Sequence, residues 1–222
     1  MNSFPETGFL AQASPRLKSM LAAQAEEIRL DRGDVLFEQG DPGDALYVVL
    51  EGRLECSFLS FSGRKLSLDL MGPGAIFGEI ALFDPGPRTA TITAAEPSRI
   101  LRVRSADVMG EIRRDPELAT DMIRLAGQRM RWMGAQINEQ VFLPVSTRLA
   151  RKLIHLAAVG GTAAGRIGMS QSELAEYVGA TREAVSKTIS AWKREGVIEA
   201  SRGGIKICDR EALELLADTD QI

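Results

Sequence analysis

Ser170-Gln171-Ser172-Glu173-Leu174-Ala175-Glu176-Tyr177-Val178-Gly179-Ala180-Thr181-Arg182-Glu183-Ala184-Val185-Ser186-Lys187 reads as two short helices around a tight turn. Ser170 and Glu173 have the Ser-x-x-Glu form of a capping box, in which each side chain accepts from the other residue's backbone N–H. Leu174, Ala175 and Val178 give the first helix, Ser170 to Val178, an inward face. Gly179 permits the turn, because glycine reaches positive φ without steric cost. Thr181 caps a second helix running to Glu195, which buries Val185, Ile189 and Trp192. Ile198-Glu199-Ala200, the turn Arg202-Gly203-Gly204 and Ile205-Lys206-Ile207 then form a small hairpin. Two helices, a turn and a hairpin make a winged helix-turn-helix.

The second helix carries chemistry on its outer side. Arg182, Glu183, Ser186 and Lys187 lie away from its apolar residues and within its first turns. That is where a recognition helix meets base edges. Arginine and lysine donate to guanine O6 and N7, and glutamate accepts from cytosine N4. Ser170 and Thr181 at the two caps, and Arg202 in the hairpin, complete the candidate contacts to double-stranded DNA. The net charge of −3 does not advertise such a partner. Its distribution does not exclude a local basic surface: Arg182, Lys187, Lys193, Arg194, Arg202 and Lys206 cluster, while Asp209, Glu211, Glu214, Asp218 and Asp220 gather at the very end.

Upstream of this element the apolar period is helical. Val145 to Ala158 places Leu149, Leu153, Leu156 and Ala157 on one face, and Gly160 to Gly165 forms a loop. Pro144 separates this helix from a longer one. Asp115-Pro116 is an N-cap and first-turn pair, and Leu118, Met122, Ala126, Met130, Met133, Ile137 and Val141 recur every three or four residues as far as Phe142. At 1.5 Å per residue this helix runs to ~39 Å. So long a stripe implies a coiled-coil-like seam between two copies. A helix packed wholly on its own domain is the other arrangement it permits.

From about Glu27 to Arg104 the chain reads as short strands. Glu27 to Asp31, Ala45 to Leu50, Arg53 to Phe61, Lys65 to Met71, Thr89 to Ala94 and Ile100 to Val103 are apolar or alternating. Gly40-Asp41-Pro42-Gly43, Glu51-Gly52 and Ser62-Gly63-Arg64 punctuate them as turns. Many short, evenly spaced strands imply a closed roll or sandwich. Within it, Phe77-Gly78-Glu79-Ile80-Ala81-Leu82 is followed by Arg88-Thr89-Ala90-Thr91-Ile92. Glycine lets the backbone approach a phosphate, and a helical turn starting near Glu79 offers N–H donors to an anion. Arg88 brings a charged fork and Thr89 a hydroxyl, both suited to anionic oxygens, and Glu79 brings a hydrogen-bond acceptor.

Both stretches resemble the cyclic-AMP receptor/FNR family of bacterial transcription regulators, and the resemblance runs from about Leu17 to Ile207. It implies an α+β chain in three parts: a cyclic-nucleotide-binding β-roll or jelly roll over 1–114, a long dimerisation helix and hinge over 115–143, and a winged helix-turn-helix over 144–222. It implies a cytoplasmic homodimer on a palindromic site, gated by cAMP or cGMP, with RNA polymerase as a further candidate partner. The ligand residues it implies are Gly78, Glu79, Ile80, Ala81, Arg88 and Thr89, with Arg129, Met133 and Gly134 on the long helix. In the cyclic-AMP receptor two hydroxyl residues read adenine from the positions of Met133 and Gly134. Neither residue here has a hydroxyl, which implies weak discrimination between the two nucleotides, and Arg129 is placed to pair with Glu79. Lys187 stands where the best-known member has arginine, keeping charge but losing the bidentate fork.

Other classes fit less well. A member of the same family that responds to another small molecule, or acts without one, is the nearest alternative. Two distant cysteines, Cys56 and Cys208, supply neither a disulfide framework nor a thiolate cluster. An enzyme such as a phosphodiesterase would need metal ligands or an acid–base constellation. The lone histidine, His155, sits in an apolar helical run and reads as structural. No apolar run approaches the ~18 residues of a membrane span, and the first nine residues lack the features of a signal peptide.

Overall fold

The computed structural model describes residues 4–60, 63, 65–160, 166–201 and 204–218. The inferred turn residues Ser62 and Arg64, the loop 161–165 and the hairpin tip Arg202-Gly203 lie outside the described residues. The chain forms two compact units, Met1–Trp132 and Met133–Ile222. The boundary falls inside the long helix. No helix among the described residues is long and apolar enough to cross a membrane.

The first unit opens with α1 (Gly8–Gln12) and α2 (Pro15–Gln24), then β1 (Glu26–Leu30), β2 (Val35–Phe37), β3 (Ala45–Glu51), β4 (Leu54–Leu59), β5 (Lys65–Met71) and β6 (Ile76–Phe77). The one-turn helix α3 (Ile80–Phe83) precedes β7 (Thr91–Ala94), β8 (Ser98–Arg104), α4 (Ser105–Arg114) and the start of α5 (Leu118–Phe142). The strands make two antiparallel four-stranded sheets, ordered β1-β8-β3-β6 and β2-β7-β4-β5. β3 explains the layering. Side chains alternate across a strand, and Ala45, Tyr47 and Val49 enter the core shared with the second sheet, beside Leu54, Met71, Phe77 and Ile92. Leu46, Val48 and Leu50 point the other way, into a second core with Leu17, Leu21, Val108, Leu118, Met122 and Leu125. A strand covered on both faces reads as a continuous apolar run, as Ala45 to Leu50 does.

The helices forming that second core were not apparent from the sequence. Ser14 caps α2 by accepting from Leu17 N, Pro15 takes the first helical position, and the Ser14 hydroxyl donates to the buried Asp121 of α5. Arg124 also pairs with Asp121, at 2.9 Å. The stripe on α5 therefore divides. Leu118 and Met122 are buried at 3% and 2% exposure, whereas Met130 and Ile137 are 72% and 62% exposed.

The second unit takes the rest of α5, then α6 (Val145–Gly160), β9 (Arg166–Ile167), α7 (Gln171–Val178), α8 (Arg182–Arg194), β10 (Ile198–Ser201), β11 (Gly204–Ile207) and α9 (Arg210–Ala217). Its sheet runs β10-β11-β9. Leu149, Leu153, Leu174, Val178, Val185, Ile189 and Trp192 are buried. Polar contacts tie the end of α5 to the rest. Arg148 and Gln140 are hydrogen-bonded, Gln140 Nε2 donates to Val178 O at 3.1 Å, and Lys152 Nζ donates to Gln136 at 3.0 Å while lying over the Tyr177 ring.

Candidate ligand pocket and nucleic-acid surface

In the first unit β6 pairs with β3, Tyr47 opposite Phe77, and delivers Gly78 to the sheet edge. Gly78 has φ +81°, and a Cβ there would stand 2.8 Å from Ala45 O and 3.0 Å from an Arg88 nitrogen. Only glycine fits. Glu79 follows at the N-cap of α3 and is 3% exposed. Its Oε1 accepts from Arg129 Nε at 3.1 Å, and the same guanidinium donates to Ile76 O at 3.0 Å and lies 5.4 Å from the Trp132 ring. A carboxylate so buried needs such a partner, since an unpaired one costs several kcal/mol, ~3–5 when a pair is broken. Further acceptor positions remain on the carboxylate after one hydrogen bond.

The turn after β2 explains the placement of Arg88. Arg88 N donates to Asp41 O at 2.7 Å and Gly40 N donates to Arg88 O at 2.9 Å, so the Gly40–Asp44 turn grips the arginine backbone. Its side chain runs inward. One terminal nitrogen donates to Ala45 O at 3.0 Å and the other is 3.6 Å from Asp44 Oδ1. The guanidinium lies 4.3 Å over the Phe37 ring and 5.4 Å from that of Tyr47. Arg88 Nε is buried without a hydrogen-bond partner among the described residues. Ala81 is buried, while Ile80 and Thr89 are exposed beside it. Phe37 and Trp132 thus join the site without having been singled out from the sequence, and Asp44 and Tyr47, which lie in the Gly40-Asp41-x-Gly43-Asp44-x-Leu46-Tyr47 stretch that also carries the family resemblance, join it without a site role having been read for them. Aromatic residues in a strand pattern signal core, and nothing local marks these as supports for a guanidinium.

Met133 and Gly134 lie on the part of α5 that belongs to the second unit. Met133 is 45% exposed, and a Cβ on Gly134 would meet nothing within 4 Å.

In that second unit the capping box is complete: Glu173 N donates to Ser170 Oγ at 3.2 Å and Ser170 N to Glu173 Oε2 at 2.7 Å. Gly179 ends α7 in the left-handed region, φ +66°, where a Cβ would press on the Gln140 amide. Thr181 Oγ1 accepts from Ala184 N and starts α8. With Val185, Ile189 and Trp192 inward, Arg182, Glu183, Ser186, Lys187 and Ser190 line one open cleft together with Gln171. Gln171 and Ser190 extend the set inferred from the sequence; Ser190 shares a helical face with Ser186 and Lys187, and Gln171 follows the cap residue Ser170. Arg202 falls outside the described residues, so its place relative to this cleft is not described.

Residues 27–115 match the cyclic nucleotide-binding domain family, and residues 147–216 the Crp-like helix-turn-helix domain family. A CRP-like cAMP-activated global transcriptional regulator of Mycobacterium tuberculosis is 31% identical over 211 residues, 93% of this chain and 94% of that protein. This chain belongs to the CRP/FNR family. Two further members of the CRP/FNR family are similar to it. The cyclic AMP receptor protein of Thermus thermophilus is 32% identical over 186 residues, 84% of this chain and 85% of that protein. The crystal structure of a CRP/FNR-family transcriptional regulator from the same organism superposes with a TM-score of 0.76 at 30% identity, over 87% of this chain and 99% of that one. As a CRP/FNR protein the chain is a DNA-binding transcription regulator rather than an enzyme. Its roll is a cyclic-nucleotide-binding domain and its last domain a DNA-binding helix-turn-helix.

Proposed function

We propose that this regulator is gated by a cyclic purine nucleotide, cAMP or cGMP, and that it binds near-palindromic DNA as a homodimer. The observation that carries the ligand assignment is Arg88: a guanidinium 5% exposed, with Nε unpartnered among the described residues, next to Gly78 and Glu79. An unsatisfied buried donor is costly, and a phosphate oxygen would complete it. Thr89 adds a hydroxyl, Ile80 and Ala81 add backbone N–H groups, and Glu79, oriented by Arg129, accepts from a ribose hydroxyl. Met133 and Gly134, one turn beyond Arg129, offer a base no side-chain hydroxyl.

On DNA, the two α8 helices of a dimer would enter successive major grooves ~34 Å apart. Arg182 and Glu183 read G·C pairs, Lys187 tolerates more variation, and Ser186, Ser170 and Thr181 support them near the backbone. Arg182→Ala is expected to cost ~1–3 kcal/mol and to relax specificity at one position per half-site. Competitive binding to single-base variants of the selected site measures this; unchanged specificity would take Arg182 off the bases.

Gating is tested by selecting sites from random DNA and then measuring affinity with and without saturating cAMP and cGMP. A ligand shifts a conformational balance only by its differential affinity for the two states. A rise in DNA affinity with either nucleotide is expected. Equal affinity throughout would remove the gating, and a non-palindromic consensus would remove the two-fold docking.

A further inference from the structure

We propose that Asp69 reads the base in this pocket and favours a guanine-type edge over an adenine-type one. The inference rests on the cyclic-nucleotide assignment above and concerns the same pocket. β4 and β5 pair with Leu54 opposite Met71 and Cys56 opposite Asp69. Directly opposed residues share a face of the sheet, as do residues two apart on one strand. Leu54 and Met71 are both buried in the inter-sheet core, against which Cys56 also packs. Asp69 is therefore a carboxylate on the inner face of the roll, half-buried. The register shifts immediately beyond this pair, between Cys56 and Ser57. Such an irregularity bends a strand and re-aims a side chain near a site.

Cys56 packs against the cluster that holds Tyr47 and Phe77, and Arg88 lies over Tyr47 and Phe37, so this pair borders the pocket, and the charges around the thiol agree. Burial, followed by the Asp69 carboxylate, pushes the thiol up to about 12. Glu79 and Glu55 push the same way, and Arg129 opposes them. The thiol thus feels both members of the Glu79–Arg129 pair together with Asp69. Arg88 and Glu79 account for phosphate and ribose; Asp69 adds an acceptor-only group on the inner face of the roll.

The chemistry of the two bases differs at this point. Guanine presents two adjacent donors, N1–H and the exocyclic N2–H₂, to the two oxygens of one carboxylate. Adenine presents a donor next to the N1 lone pair, which opposes the second oxygen. A bidentate match to one base is a strong discriminator against the other. Met133 and Gly134 alone imply weak discrimination; Asp69 supplies a preference they lack.

Asp69 already has an interaction within the protein, so the test must separate a purely structural carboxylate from a base reader. The full-length protein, Asp69→Asn and Asp69→Ala are titrated by calorimetry with cAMP and with cGMP, and their unfolding is followed without ligand. The parent protein is expected to bind cGMP about tenfold more tightly than cAMP or better. Asp69→Ala should weaken cGMP while leaving cAMP nearly unchanged. Asp69→Asn, whose amide offers both a donor and an acceptor, should move the ratio about tenfold towards cAMP. A structural role would weaken both nucleotides alike and leave the ratio where it was. An unchanged ratio in both variants, or a parent protein that prefers cAMP, overturns the proposal while leaving the pocket intact. A parent protein that binds neither nucleotide overturns the pocket assignment itself.

Discussion

Arg88→Ala is expected to remove cyclic-nucleotide binding from the roll, at a cost of ~2–5 kcal/mol, the usual penalty for truncating one partner of a buried charged contact. The geometry sets the expectation. The guanidinium is nearly sealed from water by Phe37 and Tyr47. The guanidinium has little solvation left to lose when a phosphate meets it there, and it gains a charge-assisted hydrogen bond. The same substitution strips Ala45 O of its donor and empties the space over Phe37. Stability should also fall, by ~1–3 kcal/mol for an acceptor left unmade. Ligand-free melting separates the two effects. Arg88→Lys keeps charge and most of the volume, but its point ammonium cannot reproduce the fork. It should restore the melt more fully than the affinity. Calorimetry decides: a folded Arg88→Ala that binds either nucleotide as tightly as the parent removes Arg88 from the pocket.

The pocket was legible where each residue's own chemistry is peculiar. Gly78 is required by a positive φ, Arg88 and Glu79 are charged groups inside a strand pattern, and such residues stand out in a single sequence. The residues that hold them did not stand out. Phe37 and Tyr47 look like any strand aromatics, and Asp69 looks like the solvent-facing member of an alternating strand. Its inner position follows from the pairing of Cys56 with Asp69, and register is a tertiary fact. The helical domain was legible through capping. Ser170, Gly179 and Thr181 are each selected by a local backbone need, independent of what packs around them. α2 and α4 were missed for the opposite reason. Each is ten residues long, near the limit at which local propensity sustains a helix. They are held by the buried residues they cover, and those lie elsewhere in the chain. Missing them left the whole α5 stripe without a local cover in the sequence. Its first two turns pack on α2, α4 and the first sheet instead.

That division of α5 determines how the proposed dimer should be broken. Met122 is 2% exposed within the roll's own core, so a charge there would unfold the domain and say nothing of a seam. Among the exposed apolar residues of α5, Ile123, Met130 and Ile137 recur every seven residues, with Met133, Val141 and Phe142 also exposed. A seven-residue repeat is the period of a two-helix seam. Gly127 and Gly134 follow the same period between them, where small residues let two helices approach. Under two-fold symmetry each residue meets its own counterpart or a near neighbour. Met130→Glu with Ile137→Glu therefore removes four apolar side chains from one interface and adds four carboxylates. At ~1.5–3 kcal/mol for each buried side chain, the loss is ~6–12 kcal/mol before any repulsion is counted. A nanomolar dimer is held by about 12 kcal/mol. The double variant should be monomeric at micromolar concentration by light scattering, with helix content and melting of the roll retained, because neither side chain enters the core. Its affinity for a palindromic site should fall to that of one half-site. An intact dimer would refute the seam, and a monomer that still binds the full site as tightly as the parent would refute two-fold docking on DNA.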